Sequence, residues 1–170
     1  MAAVDYKIIK NFMSKEELKI LQLYCFKNLQ EDVDYKIDNQ SFSPAWYQDI
    51  LMNTFLYQKK SLVEKETNLE LYPTYAYWRY YIFGASLKKH TDRHACEISI
   101  TTCIKKYDKW SLTIEKDNFE LEEGDALLYA GHDQKHGRPG IYKGEGMAQL
   151  FLHYVNKNGI YSHHANDYFG

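Results

Sequence analysis

The sequence is poor in cysteine and proline, with three of each among 170 residues. Cys25, Cys96 and Cys103 form no C-x-x-C pair. Their odd number and wide spacing argue against a disulfide scaffold or a cysteine-based zinc site. No apolar run approaches the roughly 20 residues that a membrane helix needs. The opening MAAVDYKIIKNF is charged and lacks the apolar segment of a secretory signal. Neither sign of charge dominates: 21 Lys and Arg stand against 23 Asp and Glu, a net charge of −2. That is not the basic balance of a generic nucleic-acid binder. Repeats, low-complexity segments and linkers are also missing. The expectation is a soluble, cytoplasmic chain forming a single domain over 1–170, with neither nucleic acid nor membrane as a partner and its oligomeric state open.

What is abundant is aromatic. There are 16 Tyr, hydrophobic residues make up 45% and charged residues 26%, a globular composition. Tyrosine packs well on a pleated surface while keeping its hydroxyl wet, so a Tyr-rich chain suits a β-rich fold. The pattern along the chain divides accordingly. Val4–Phe12 is a short strand candidate. Ser14 with Glu17 forms a capping box, and Leu18, Leu21, Tyr24 and Cys25 then recur at helical spacing, predicting a helix over Lys15–Leu29. Ser43-Pro44 is read as a cap with proline in the first turn. Trp46, Ile50, Leu51, Phe55 and Leu62 continue it as a second helix to about Glu66.

From Leu69 onward only short alternating or apolar segments remain, with turn signals between them. They predict seven or eight strands, with turns at Asp117-Asn118 and Glu123-Gly124-Asp125. Helical support over 14–67, a β core over 69–156 and a polar, loosely held tail over 157–170 make an α+β, mainly β, fold. Its expected architecture is a sandwich or jelly roll.

Within the β half, His90-Thr91-Asp92 stands at a predicted strand. Residues i and i+2 share a strand face, so His90 and Asp92 would project together. A further histidine would complete a 2-His-1-carboxylate site, an arrangement that holds Fe(II) with open positions. His132, His136 and His153 are the candidates.

The combination of H-x-D after Y-x-x-G, then G-D-A-L-L-Y, a loop histidine, and a turn into an apolar strand ending L-H-Y-V resembles the 2-oxoglutarate/Fe(II) dioxygenases of the prolyl 4-hydroxylase-like group. The resemblance spans nearly the whole chain and rests on Tyr80–Arg93 and Gly124–Val155. It implies a double-stranded β-helix (jelly-roll) core with two supporting N-terminal helices. It implies a metal triad of His90, Asp92 and His136, with His132 and His153 as the lesser alternatives. It also implies Fe(II), 2-oxoglutarate as co-substrate, O2, and ascorbate as an optional reductant. The activity implied is hydroxylation of a peptidyl, prolyl or small amino-acid-like substrate, releasing succinate and CO2.

Where the family sets a basic residue for the distal carboxylate of 2-oxoglutarate, this chain has Glu145, Gly146 and Met147. Arg138, two residues after His136, is expected to take that role, with Arg79 and Lys143 as further candidates. Tyr80 or Tyr81 and Gln149 are the other expected co-substrate contacts, and Arg93 could contact substrate or order Asp92. Two other readings stay open on the residues alone: a cupin-like metal enzyme that does not use 2-oxoglutarate, and a non-catalytic jelly-roll binding module.

Overall fold

The computed structural model describes residues 4–167. In chain order the elements are β1 (Lys7–Ile9), α1 (Lys15–Gln30), β2 (Lys36–Asp38), β3 (Ser43–Tyr47), α2 (Ile50–Thr67), β4 (Leu71–Tyr81), β5 (Ser86–His90), β6 (Ile98–Lys106), β7 (Leu112–Ile114), β8 (Asp117–Phe119), β9 (Ala126–Tyr129), β10 (His136–Ile141) and β11 (Met147–Asn156). One sheet has seven strands in the order β1-β9-β6-β11-β4-β3-β2, and the other has four in the order β5-β10-β7-β8. Every pairing is antiparallel. This is the expected jelly-roll core. Among the described residues no helix is long and apolar enough to cross a membrane.

The helices cover the outer face of the larger sheet. α1 starts at its capping box: the Ser14 hydroxyl accepts from the Glu17 amide at 3.1 Å, and the Ser14 amide donates to Glu17 Oε2 at 2.8 Å. Its buried Leu21 and Cys25 join Met52, Leu56 and Val63 of α2 over Ile98, Ile100, Leu150 and Leu152 of the sheet. Between the two sheets lies a second set of apolar residues, including Tyr81, Leu87, Trp110 and Met147. The site is built at one end of this inner layer.

Three expectations are corrected. The second helix does not begin at Ser43-Pro44. It begins at Ile50 with Asp49 as its cap, whose carboxylate accepts from the Met52 amide at 3.0 Å. Ser43–Tyr47 is instead a strand between β2 and β4. Trp46 lies directly across from Trp78, their rings stacked at 3.8 Å and 5°. The cross-strand aromatic pair and two ladders of backbone hydrogen bonds outweigh a local helix-start signal. The turn placed at Asp117-Asn118 falls at Glu115-Lys116, where Glu115 adopts φ 52°, and Asp117 belongs to β8.

The segment after β11 is held, not loose. The Lys157 amide donates to the Glu70 carbonyl and the Asn166 amide to the Pro73 carbonyl, each at 2.8 Å. Arg93 donates to Asp167 Oδ2 at 2.6 Å, and lies over the Tyr75 ring. Arg93 therefore fastens the end of the described chain onto the sheet.

Because β3 is carried by the Trp46–Trp78 stack, Trp46→Ala should destabilise the protein by about 3–5 kcal/mol. Equilibrium urea unfolding checks this. A variant within about 1 kcal/mol of the parent would show that β3 is held by its backbone pairing alone.

Candidate metal centre

His90 closes β5 and His136 opens β10, and the two stand directly opposite each other in the antiparallel pairing. Their approach depends on an irregularity. His136 pairs with His90 and Arg138 with Leu87, so three steps along β5 match two along β10. The extra residue is a β-bulge at Lys88-Lys89, and bulges beside sites re-aim side chains. Here the bulge keeps both Leu87 and His90 on the cavity face and leaves Lys88 and Lys89 exposed. Gly137 lies against it. A Cβ there would come within 2.8 Å of the Leu87 carbonyl oxygen and the Lys89 nitrogen, so no side chain fits.

Asp92 lies beyond the end of β5, so strand alternation is not what aims it. Its amide donates to the Gly131 carbonyl at 2.9 Å. A Cβ on Gly131 would sit 2.8 Å from Asp92 Oδ2 and 2.5 Å from Ser99 Oγ. The segment after β9 thus sets the carboxylate in place.

The three ligand atoms converge. Asp92 Oδ1 is 3.4 Å from His90 Nε2, and Asp92 Oδ2 is 3.3 Å from His136 Nε2. All three lie within 4.8 Å of one another, and among the described residues this is the one such group. Each ring is oriented through its other nitrogen: His90 Nδ1 bonds the Lys88 carbonyl at 2.8 Å and His136 Nδ1 the Gln134 carbonyl at 2.9 Å. With Nδ1–H donated to a carbonyl, Nε2 is left to offer its lone pair inward, the arrangement seen at metal-binding histidines. Tyr129 packs its ring 4.8 Å from that of His136. Two imidazoles and one carboxylate form a donor set suited to Fe(II).

Burial pushes the Asp92 carboxyl up, but hydrogen bonds from His136 and His90 outweigh it and hold the group well below the usual carboxylate range. For His90 burial acts downward, yet Asp92 and the Lys88 carbonyl leave its pKa raised.

The same cavity contains two guanidiniums, Arg79 and Arg138, together with Tyr81, Tyr77, Thr101 and Phe151. They differ in compensation. Arg79 is paired with Asp38 Oδ2 at 2.5 Å and donates to the Tyr81 hydroxyl at 3.0 Å. Arg138 is 7% exposed, and its described hydrogen bond runs to the Trp110 carbonyl. Its guanidinium packs over Tyr81 and Trp110, its Nε has no partner, and no carboxylate pairs with it among the described residues. A buried cation without an anion is costly, and an anionic guest would remove that cost.

The other expected residues are spread out. Tyr81 is in the cavity, whereas Tyr80 is on the opposite face of β4, in a groove beside α1. Gln149 is buried, donates to the Thr101 hydroxyl at 2.8 Å and borders a small void next to Arg138. His132 is outside the triad, edge-on to His94 and Tyr161. His153 is buried in β11 with Nδ1 on Ser99 Oγ at 2.9 Å, and Lys143 is exposed. Gln40, Tyr77 and Tyr129 were missed as cavity residues. Only Tyr129, closing G-D-A-L-L-Y just before the histidine loop, carried a local signal.

No family model matches the chain, and no curated protein matches it in sequence. Solved structures do match in fold. A Pseudomonas putida prolyl-4-hydroxylase aligns with a TM-score of 0.69 at 12% identity, over 89% of this chain and 92% of that one. The viral collagen prolyl hydroxylase of Paramecium bursaria Chlorella virus-1, solved as a 2-oxoglutarate complex, aligns at 0.65 and 11% identity over 88% and 94%. The α-ketoglutarate-dependent epimerase SnoN of nogalamycin biosynthesis aligns at 0.74 and 10% identity over 89% and 76%. The chain therefore has the jelly-roll fold of the 2-oxoglutarate/Fe(II) oxygenases, including prolyl hydroxylases.

Two expectations follow. Gly137→Ala should force β5 and β10 apart, and Gly131→Ala should displace Asp92. Each should weaken Fe(II) binding roughly 10–100-fold, measured by anaerobic titration, while far-ultraviolet circular dichroism stays native. A variant binding iron as tightly as the parent would show that the backbone yields without moving the ligands. Separately, burial lowers the His153 pKa from 6.5 to about 4. Above pH 6.5 folded and unfolded chains are both neutral there, so the group has no effect. As pH falls from 6.5 towards about 4, the unfolded chain takes up a proton that the folded one refuses. Stability then drops by on the order of 3 kcal/mol. Replacing it with the non-titrating His153→Gln should flatten that limb in urea unfolding measured across this range; an unchanged slope would assign the loss to other groups.

Proposed function

We propose that this chain is an Fe(II)- and 2-oxoglutarate-dependent dioxygenase, a hydroxylase acting on a peptidyl or small amino-acid-like substrate. The observation that carries the reading is the pairing, in one cavity, of a two-histidine, one-carboxylate cluster with a buried arginine that has no described anionic partner. His90, Asp92 and His136 would hold the metal. Fe(II) held there would supply the oxidative chemistry in which 2-oxoglutarate and O2 are converted to succinate and CO2 with one oxygen atom placed in a substrate C–H bond.

The protein's own part is binding, orientation and exclusion of water. Arg138 offers its guanidinium to the distal carboxylate of 2-oxoglutarate. Its position over Tyr81 and Trp110 fixes the direction of the fork and keeps its charge in a weakly hydrated surrounding, where a charge-assisted bond is strong. Tyr81, held by Arg79, and Gln149, held by Thr101, line the approach to it. Leu87, Leu112 and Phe151 supply apolar wall.

An anaerobic titration with Fe(II) and then 2-oxoglutarate tests this through the weak visible charge-transfer band of a chelated 2-oxo acid. The band should form in the parent and in His132→Ala, and be lost in His136→Ala. In Arg138→Ala it should require roughly a hundredfold more 2-oxoglutarate, consistent with removing one partner of a buried charge pair. Iron binding without any band in the parent would replace this reading with a metal enzyme of another chemistry.

A further inference from the structure

Immediately outside the metal cavity lies a second chamber of about 270 Å³. Gln40 and His90 line both spaces, so the two adjoin across these side chains. The remaining walls are Asn39, Phe42, Ser86, Lys88 and Lys89. We propose that this chamber is the substrate's docking subsite and that it takes an anionic group, a carboxylate or phosphate, seated on Lys88 and Lys89 with an apolar or flat portion against Phe42. The inference deepens the dioxygenase reading and rests on it for the word substrate.

The charge pattern carries the argument. Two cations line the chamber and no carboxylate does. The carboxylate nearest in sequence on the turn, Asp38, is already engaged: it pairs with Arg79 and accepts from the Gln40 amide at 3.1 Å and the Ser41 hydroxyl at 2.8 Å. Lys89 Nζ donates to a backbone carbonyl, that of Glu115, at 2.6 Å, which leaves its charge uncompensated. Lys88 has no described side-chain partner. Two cationic side chains beside a site built for a divalent cation raise the local positive potential, and an anion lowers it.

Backbone geometry puts these residues there. A regular strand would send Lys88 and Lys89 to opposite faces. The bulge between Leu87 and His90 instead leaves both exposed at the chamber while Leu87 and His90 stay inside. On the facing wall, Phe42 sits at φ 56°, a strained conformation for an aromatic residue, and the residue is 64% exposed. The Arg79–Asp38–Ser41 network fixes that wall from within the metal cavity. Arg79 is thus a positioning residue, linking the inner site to the turn that frames the outer one.

The test uses the metal-free, 15N-labelled protein and needs neither iron nor 2-oxoglutarate, so it can fail while the cofactor reading stands, and the reverse. The amide signals of Gln40, Lys88 and Lys89 are followed during titration with benzoate, phenyl phosphate and neutral benzamide. Both anions should shift these signals, with benzamide at least tenfold weaker, and the tighter anion names the group. In K88Q/K89Q anion affinity should fall at least tenfold while the rest of the amide spectrum stays in place, and the distant K65Q should bind as the parent does. Equal binding of benzamide and benzoate would overturn the proposal. So would undiminished anion binding in K88Q/K89Q, which would mean that the anions reach Arg138 instead.

Discussion

The register of β5 against β10 is the constraint on which the site depends. It sets His90 opposite His136, and it does so only because β5 has one residue more than β10 over this stretch and because Gly137 leaves room for that residue's backbone. Both imidazoles then take their orientation from main-chain carbonyls two residues away, Lys88 and Gln134. Ligands fixed by backbone bonds lose little freedom when an ion arrives, which is the meaning of a preorganised centre. The carboxylate is fixed in the same way by a different segment, through the Gly131 carbonyl. Three ligands from two chain segments are thus aligned by glycines whose missing side chains admit a neighbour.

Charge balance organises the rest of the cavity. The two histidines beside Asp92 hold its carboxyl well below the usual carboxylate range, against the upward push of burial, and a metal ion bound by the three would take over that stabilising role. The two arginines divide along the same principle. Arg79 is neutralised by Asp38 and donates to Tyr81, and through Asp38 it holds the turn at 39–42. Arg138 is held by packing and by a carbonyl, neither of which cancels its charge. A cavity with one neutralised and one uncompensated guanidinium is asymmetric for anions, and the proposed co-substrate site uses that asymmetry.

What the sequence disclosed follows from how local each signal is. The capping box of α1 is complete within four residues, and helix α1 begins where it says. The jelly-roll class was legible from short strands and turn signals after Leu69. The triad was legible only because a motif pattern joined residues far apart in the chain. By contrast, β2 and β3 have no strong strand signature of their own. Their conformation is set by Trp78 and Arg79 on β4, so Ser43-Pro44 read as a helix start. The choice between Tyr80 and Tyr81 is a question of strand face, and only the pairing of β4 with β11 decides it. Asp92 does stand beside His90, but not for the expected reason: the loop and Gly131, not strand alternation, aim it.

The positions where the resemblance calls for a basic residue, Glu145, Gly146 and Met147, hold none in this chain. Gly146 lies against Tyr80 so closely that a Cβ would fall 1.8 Å from the phenol oxygen, so a side chain there would have to displace the Tyr80 ring. Met147 belongs to the apolar cluster of Tyr81, Leu87, Trp110 and Tyr142, where a charge would be buried without water. No cation stands at the start of β11; the guanidinium without a described anionic partner comes from β10, two residues from His136. His136 and Arg138 stand on one strand with Gly137 between them, so under the proposed function any strain that shifts β10 would move the metal ligand and the anion partner together.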